Sequence, residues 1–326
     1  MKILVTGGAG YIGSHGVYEL VRAGHDVIVL DNLSTGNIEA VHKDAKFYEG
    51  DQKDEKILDK IFTENKIDAV MHFSAKLIVP ESVEQPIVYF ENNVHGVAKL
   101  LESMKKHNIK NIVFSSTAAV YGDVKGNKPL VEDLPLAPIN PYGQSKLSCE
   151  WLIKGAAKAF DMNYVIFRYF NVAGADASGE IGQATKGREI THLIPVVIEA
   201  QSGIRKEMSI FGNDYETKDG TCIRDYIHAT DLAKAHVLGV EHAFKGNSGI
   251  FNLGSKNGFS VQEVVDAAEK VIDKKVPYKI AERRQGDPAI LVADNSNAKN
   301  VLNWKPELSL EEMIKSDNSW RNNKKF

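Results

Sequence analysis

The sequence predicts a doubly wound α/β fold: a parallel sheet clad by helices on both faces, with a smaller C-terminal α/β lobe after it. Three observations carry this expectation. Short β-branched runs alternate with longer helical stretches as far as Phe170, the rhythm of strand–helix–strand units. The runs are apolar nearly throughout instead of alternating, as strands buried on both faces are. The first run enters the first helix through a glycine-rich turn, "VTGGAGYIG".

In order, strands are expected at 3–6, 26–30, 46–48, 69–73, 111–115 and 164–170. The helical stretches between them include 12–23, closed by Gly24, then 86–107 and 141–160. Asn140 and Pro141 supply the cap and first-turn proline of the last of these. Beyond Phe170 the rhythm changes. Residues 174–190 hold Gly174, Ser178, Gly179, Gly182 and Gly187 and read as a long functional loop. Short strands at 208–211 and 250–253, with helices at 231–243 and 261–271, then suggest the second lobe. The expected division is 1–173 and 174–326, with some crossover of the chain and a ligand cleft between the lobes.

Composition bounds the function. Of 326 residues, 25% are charged and 43% hydrophobic, the balance of a globular chain with one large or two ordinary cores. A formal net charge of −3 favours neither nucleic acid nor an anionic membrane as partner. No apolar run approaches membrane-spanning length and no signal peptide is read, so a cytoplasmic location is expected. Cys149 and Cys222 make no disulfide framework and are expected as free thiols. The histidines fall without ligand spacing, so no metal site is expected.

Gly7, Gly10 and Gly13 mark the turn between the first strand and helix, with Tyr11 and Ile12 inside it. Glycine there lets the backbone approach a pyrophosphate, and the helix start offers free N–H groups to it. Asp31 ends the second strand, eighteen residues beyond Gly13. Its carboxylate would accept hydrogen bonds from a ribose diol and repel a 2′-phosphate; with no arginine following, NAD is expected over NADP. Asp51 stands where an acid could reach adenine, or is a simple turn residue.

The heptapeptide "NPYGQSK" places Tyr142 and Lys146 four apart, on one helical face. A phenol of pKa about 10 needs ~4 kcal/mol of preference for its anion to serve as a base near neutrality. A neighbouring ammonium and the positive ring of NAD⁺ could supply that; the spacing alone is also that of an ordinary surface pair. Ser115, Ser116 and Thr117 leave the carboxyl edge of the fifth strand, where ligands of open α/β sheets bind. They offer a bridging hydroxyl, or else cap their own loop.

Together, G-G-A-G-Y-I-G, Asp31, Ser115-Ser116-Thr117 and Tyr142-x-x-x-Lys146 resemble the extended short-chain dehydrogenase/reductase family, whose cofactor lobe is a Rossmann domain. "DNLSTG", "HFSAKLIVPESVEQP", "ENNVHG", "RYFNVAGA", "FGNDYETKDGTCIRDYIH" and "RRQGDPA" carry the likeness to about residue 305 and are similar to its UDP-sugar 4-epimerases. The resemblance implies interconversion of UDP-galactose and UDP-glucose with NAD, as in galactose metabolism. It also implies a homodimer paired through helices of the cofactor lobe. Tyr142, Lys146 and Thr117 would be catalytic. These three would also touch the cofactor, together with Gly7, Gly10, Tyr11, Ile12, Gly13, Asp31, Asn32, Leu33, Ser34, Thr35, Gly36, Asp51, Gln52, Phe73, Ser74, Ala75, Asn92 and Phe170. The UDP-sugar would meet Thr117, Tyr142, Asn171, His192, Leu193, Ser209, Ile210, Phe211, Arg224, Arg284, Asp287 and Leu291.

Other members of the family remain as alternatives. A nucleotide-sugar 4,6-dehydratase needs an extra acid and base directly after the Ser/Thr, where this chain has Ala118 and Ala119. Methyl groups exchange no proton. A non-enzymatic NAD-binding sensor would be expected to lack the tyrosine or the lysine. An epimerase of N-acetylated UDP-sugars turns on Leu291, intermediate between a small residue that admits the acetamido group and a tyrosine that excludes it. Two positions depart from relatives: His192 replaces an asparagine, and Lys76 stands one place before a lysine found in some of them.

Overall fold

Strands that are apolar on both faces need cover on both sides, and helices from both halves of the chain supply it. The computed structural model describes residues 1–124, 126, 128–184, 186, 190–284 and 287–326. Gly187 of the expected loop, and Gln285 and Gly286 of "RRQGDPA", lie outside the described residues. The order opens β1 (Lys2–Thr6), α1 (Tyr11–Arg22), β2 (Asp26–Asp31), β3 (Lys46–Glu49), α2 (Glu55–Glu64), β4 (Ala69–His72). Then come α3 (Val79–Glu84), α4 (Pro86–Tyr89), α5 (Gly96–Lys106), β5 (Asn111–Thr117), α6 (Pro141–Phe160) and β6 (Asn163–Tyr169).

After β6 the elements shorten. They are β7 (Asn171–Ala173), α7 (Leu193–Ser202), β8 (Met208–Phe211), β9 (Ile223–Arg224), β10 (Tyr226–His228), α8 (Ala229–Phe244) and β11 (Gly249–Leu253). The chain ends with β12 (Phe259–Ser260), α9 (Val261–Ile272), β13 (Tyr278–Ala281), β14 (Ile290–Leu291), α10 (Ser296–Leu302) and α11 (Leu310–Asn322).

The main sheet has seven strands in the order β11-β6-β5-β4-β1-β2-β3, all neighbours parallel. Neighbouring residues of one strand feed opposite cores. Ile3 and Val5 join Val17, Leu20 and Leu232 on one face, whereas Leu4 joins Leu58, Leu100 and Ile153 on the other. Strand order reverses about β1, whose neighbours are β2 and β4, so the crevice at its carboxyl end is the sheet's switch point.

Two expectations change here. The stretches 231–243 and 250–253, assigned from the sequence to the second lobe, belong to the main sheet layer. β11 pairs with β6, and α8 lies on β5, β6 and α1. The small residues Ala229, Ala233, Ala235 and Gly239 let α8 settle there; a Cβ on Gly239 would stand 2.7 Å from the Phe167 ring. The expected single helix at 86–107 contains a π turn, Phe90–His95, between α4 and α5. The second lobe keeps its own core, built by α7, α9 and α11 around Ile194, Ile210, Val264 and Ile314.

Candidate active site

The glycine turn is closed too tightly for side chains. A Cβ on Gly7 (φ +75°) would come within 2.7 Å of Ser74 N, and one on Gly13 within 2.0 Å of the Gly7 carbonyl. Gly10 caps α1 without a side chain. The leading N–H groups of Tyr11, Ile12 and Gly13 are thereby left to an outside anion at the positive end of the helix. The Tyr11 hydroxyl donates to Gly174 O at 2.5 Å, tying the turn to the second half of the chain.

Asp31 Oδ2 accepts from Ala9 N at 3.0 Å and Oδ1 from Leu33 N at 2.8 Å. Burial pushes this carboxyl's pKa up, while the two amides and the Lys186 ammonium pull it down. The loop that follows is held from several sides. Ser34 N donates to Asn32 Oδ1 at 3.1 Å, and Asn32 Nδ2 to Asp51 Oδ2 at 3.1 Å. Gly36 lies against Ala9, and Thr35 lines a small cavity with Gly10 and Tyr11. Gln52 Oε1 meets His72 Nε2 at 2.8 Å. Ser74 borders Gly7, with Ala75 next to it, but the Phe73 ring turns back against Gly16 and His236, leaving its backbone toward the crevice.

Tyr142 sits in the first turn of α6, which Asn140 caps by accepting from Gly143 N at 2.9 Å. Burial pushes its phenol's pKa up, and the Thr117 hydroxyl pulls it down. Lys146 Nζ donates to Ser115 O at 2.8 Å and stands 4.8 Å from the centroid of the Phe114 ring. Burial lowers its pKa to about 8, against the raising effect of Cys149 and Glu150. The ammonium is thus engaged by the strand and itself strongly desolvated, while burial is the largest effect on the phenol.

Asn93, which the sequence reading passed over for Asn92, is the better connected of the two. Its Oδ1 accepts from Lys76 N at 2.9 Å; its Nδ2 donates to Lys76 O at 3.1 Å and Ser145 Oγ at 3.0 Å. Asn92 Nδ2 donates to the same Oδ1 at 3.0 Å. Two asparagines inside a helix, where their propensity is poor, were the available signal. Lys76 Nζ reaches Glu81 at 3.3 Å rather than the crevice.

On the second lobe, Arg224 NH2 donates to Asp287 Oδ1 at 2.6 Å and pairs in register with Leu291. The Arg284 guanidinium lies 4.0 Å over the Phe211 ring. Asn171 Nδ2 donates to Asp225 O at 2.9 Å. His192 precedes Leu193 at the start of α7, and Gln183 Nε2 donates to its Nδ1 at 2.9 Å. Ser209 and Ile210 lie on β8; the Ile210 side chain is in the core, so only its backbone is available. Phe170 and Leu291 share one apolar cluster with Ala118 and Val120, which brings the two halves of the expected site together.

Residues 4–316 match the family model described as GDP-mannose 4,6 dehydratase. The chain is 50% identical over 322 residues to the UDP-glucose 4-epimerase of Halalkalibacterium halodurans, covering 98% of this chain and 95% of that one. It is 50% identical over 308 residues to that of Lactobacillus helveticus, covering 94% and 92%. The chain belongs to the UDP-glucose 4-epimerase family. Its fold matches the crystal structure of the Bifidobacterium longum UDP-glucose 4-epimerase in complex with NAD⁺ and UDP, at 42% identity and a TM-score of 0.92 over 99% of both chains. Among the described residues no group of side chains could hold a metal ion, and no helix could cross a membrane.

The buried lysine has a measurable consequence. An unfolded lysine keeps its proton to pH 10.5, whereas Lys146 releases it near 8. The unfolded chain therefore binds more protons between those values, and stability rises with pH across that window. Thermal melts of nucleotide-free protein from pH 7 to 10 should show this rise in wild type and its loss in Lys146→Met. Parallel curves would mean that the ammonium is not desolvated.

Proposed function

We propose that this protein interconverts UDP-galactose and UDP-glucose by transient oxidation at C4′ with bound NAD. The observation that carries the reading is the buried Tyr142 phenol at the start of α6, acted on by the hydroxyl of Thr117 at the end of β5, which Ala118 and Ala119 follow. NAD fits the residues present: a cradle that a Cβ at Gly7 or Gly13 would fill, an uncapped helix start, and a carboxylate at Asp31. When bound, NAD accepts the C4′ hydride and gives it back. Tyr142 Oη would take the 4′-hydroxyl proton and later return it, so a pKa drawn toward neutrality serves both directions. Thr117 would donate to that oxygen, and Lys146 would orient the nicotinamide ribose.

Asn171, Arg224, Arg284 and the free Nε2 side of His192 would face the diphosphate, where guanidinium forks suit its oxygens. Asp287 would leave Arg224 to meet the ribose. Leu193, Ser209, the Ile210 backbone and Phe211 would flank the uracil, with Phe170 and Leu291 about the sugar and nicotinamide. Buried free thiols at Cys149 and Cys222 accord with a reducing cytoplasm, the setting for a role in galactose metabolism. Assembly as a homodimer is supported by Val83 and Ile87, 62% and 82% exposed on α3 and α4, and by Trp151, 59% exposed on the adjoining α6.

The direct test is incubation with UDP-galactose without added reductant, with identification of the products. UDP-glucose is expected, and Tyr142→Phe should lower kcat by about 10²–10⁴-fold, the usual worth of a positioned proton-transfer group. A 4-keto-6-deoxy sugar would establish a dehydratase instead. The same assay on UDP-N-acetylglucosamine, run on wild type and Leu291→Tyr, tests whether residue 291 gates the sugar pocket; equal rates in both would remove Leu291 as the gate. Sedimentation should give a dimer for wild type and a monomer for Ile87→Asp, and a monomeric wild type would end the dimer reading.

A further inference from the structure

One buried polar assembly lies beneath the site without belonging to it. Glu150 is on α6, one turn beyond Lys146 and two beyond Tyr142, and is 0% exposed. Its Oε1 accepts from Ser116 Oγ at 2.5 Å and from Arg168 Nε at 3.0 Å, and its Oε2 from Arg168 NH2 at 2.7 Å. Ser116 adjoins Thr117 on β5. Arg168 lies on β6, two residues before Phe170 and three before Asn171. The remaining guanidinium nitrogen donates to Tyr121 OH and Glu132 O, both at 3.1 Å, and Tyr121 OH donates onward to Asn252 Oδ1 at 2.7 Å.

We infer that Glu150 is a positioning residue: its carboxylate locks the helix of Tyr142 and Lys146 to the strand of Thr117 and to the strand leading into Phe170 and Asn171. A buried ion pair is a poor source of net stability, since apolar residues of similar volume often do as well. What it provides is geometry. A bidentate guanidinium–carboxylate fork accepts one arrangement, whereas apolar side chains tolerate sliding. Thr117 and Tyr142 face each other from β5 and α6, and the Glu150–Ser116 bond joins the same two elements one residue away on β5 and two turns away on α6. A shift of about 1 Å between them is of the size that costs on the order of 10²-fold in rate.

The inference rests on the activity proposed above, and its test separates the two. Ser116→Ala cuts only the β5 link and leaves the ion pair in place. Its kcat is expected to fall about 10- to 100-fold with KM nearly unchanged, and its crystal structure to show Tyr142 displaced relative to Thr117. Glu150→Met combined with Arg168→Met removes both charges and orphans neither. That protein is expected to melt near wild type while kcat stays low, whereas a purely structural pair would return kcat along with stability. Recovery of kcat in the double variant, or a Ser116→Ala protein with wild-type kcat and Tyr142 unmoved relative to Thr117, overturns the inference. Should the double variant not fold, Ser116→Ala decides by itself. If wild type fails to epimerise UDP-galactose, the activity proposal falls, and the crystal structure of Ser116→Ala still tests the Glu150 link.

Discussion

The rest of the site depends on where one ammonium is buried. Lys146 has given up water for a single carbonyl, Ser115 O, and the face of Phe114. That exchange is unfavourable for a charge, as its depressed pKa records. It is tolerable only if α6 crosses the carboxyl end of β5 at one height. Once α6 is held there, its first turn must lie over the last residue of β5, and Tyr142 meets Thr117. The Asn140 cap fixes where that turn begins. Ser145, bonded to Asn93 and to the Tyr142 carbonyl, fixes how it is rotated. The catalytic pair is thus a consequence of the helix's anchorage, and its four-residue spacing alone would not produce it.

The same desolvation acts on both members of the pair in opposite senses. Burial raises the phenol and lowers the ammonium, so each is pushed toward its neutral form. In the activity proposed above, a nicotinamide cation would then favour the phenolate and further disfavour the lysine's charge. Cys149 and Glu150 resist the second effect by raising Lys146. The base would therefore be readied by the arrival of the oxidised cofactor. A tyrosine already ionised in its absence would require a positive field that these residues do not create.

Much of this was legible in the sequence because it is local. Strands buried on both faces announce themselves as continuous apolar runs, and α6 begins at Asn140 and Pro141 where cap and proline place it. It ends at Phe160, where Asp161 turns left-handed with φ 53°. What was missed is long-range. A five-residue apolar strand such as β11 has the same pattern whichever sheet receives it, so its pairing with β6 had no local signature. Lys186 reaches the carbonyls of Leu33 and Gly36 from 153 and 150 residues away. The Glu150–Arg168 fork likewise joins two elements, α6 and β6, with no local signal of the pairing. The burial of the phenol had no local signature either: four-residue spacing gives proximity along a helix, but not desolvation.

What selects the reaction is the wall beside the base. A glycine cradle, an acid at the second strand and a Tyr/Lys pair serve many chemistries, so fold and cofactor lobe leave the outcome open. The family model matched by the chain takes its description from a dehydratase, while the two homologues above are epimerases. Ala118 and Ala119 separate these, and the surroundings show that more than two side chains is involved. Ala118 packs in an apolar cluster with Val120, Leu130, Leu147, Phe170 and Leu291. A carboxylate introduced there would lose water, and its pKa would rise. Epimerisation, which asks only for one proton and one hydride to go out and come back, is the chemistry that such a wall permits.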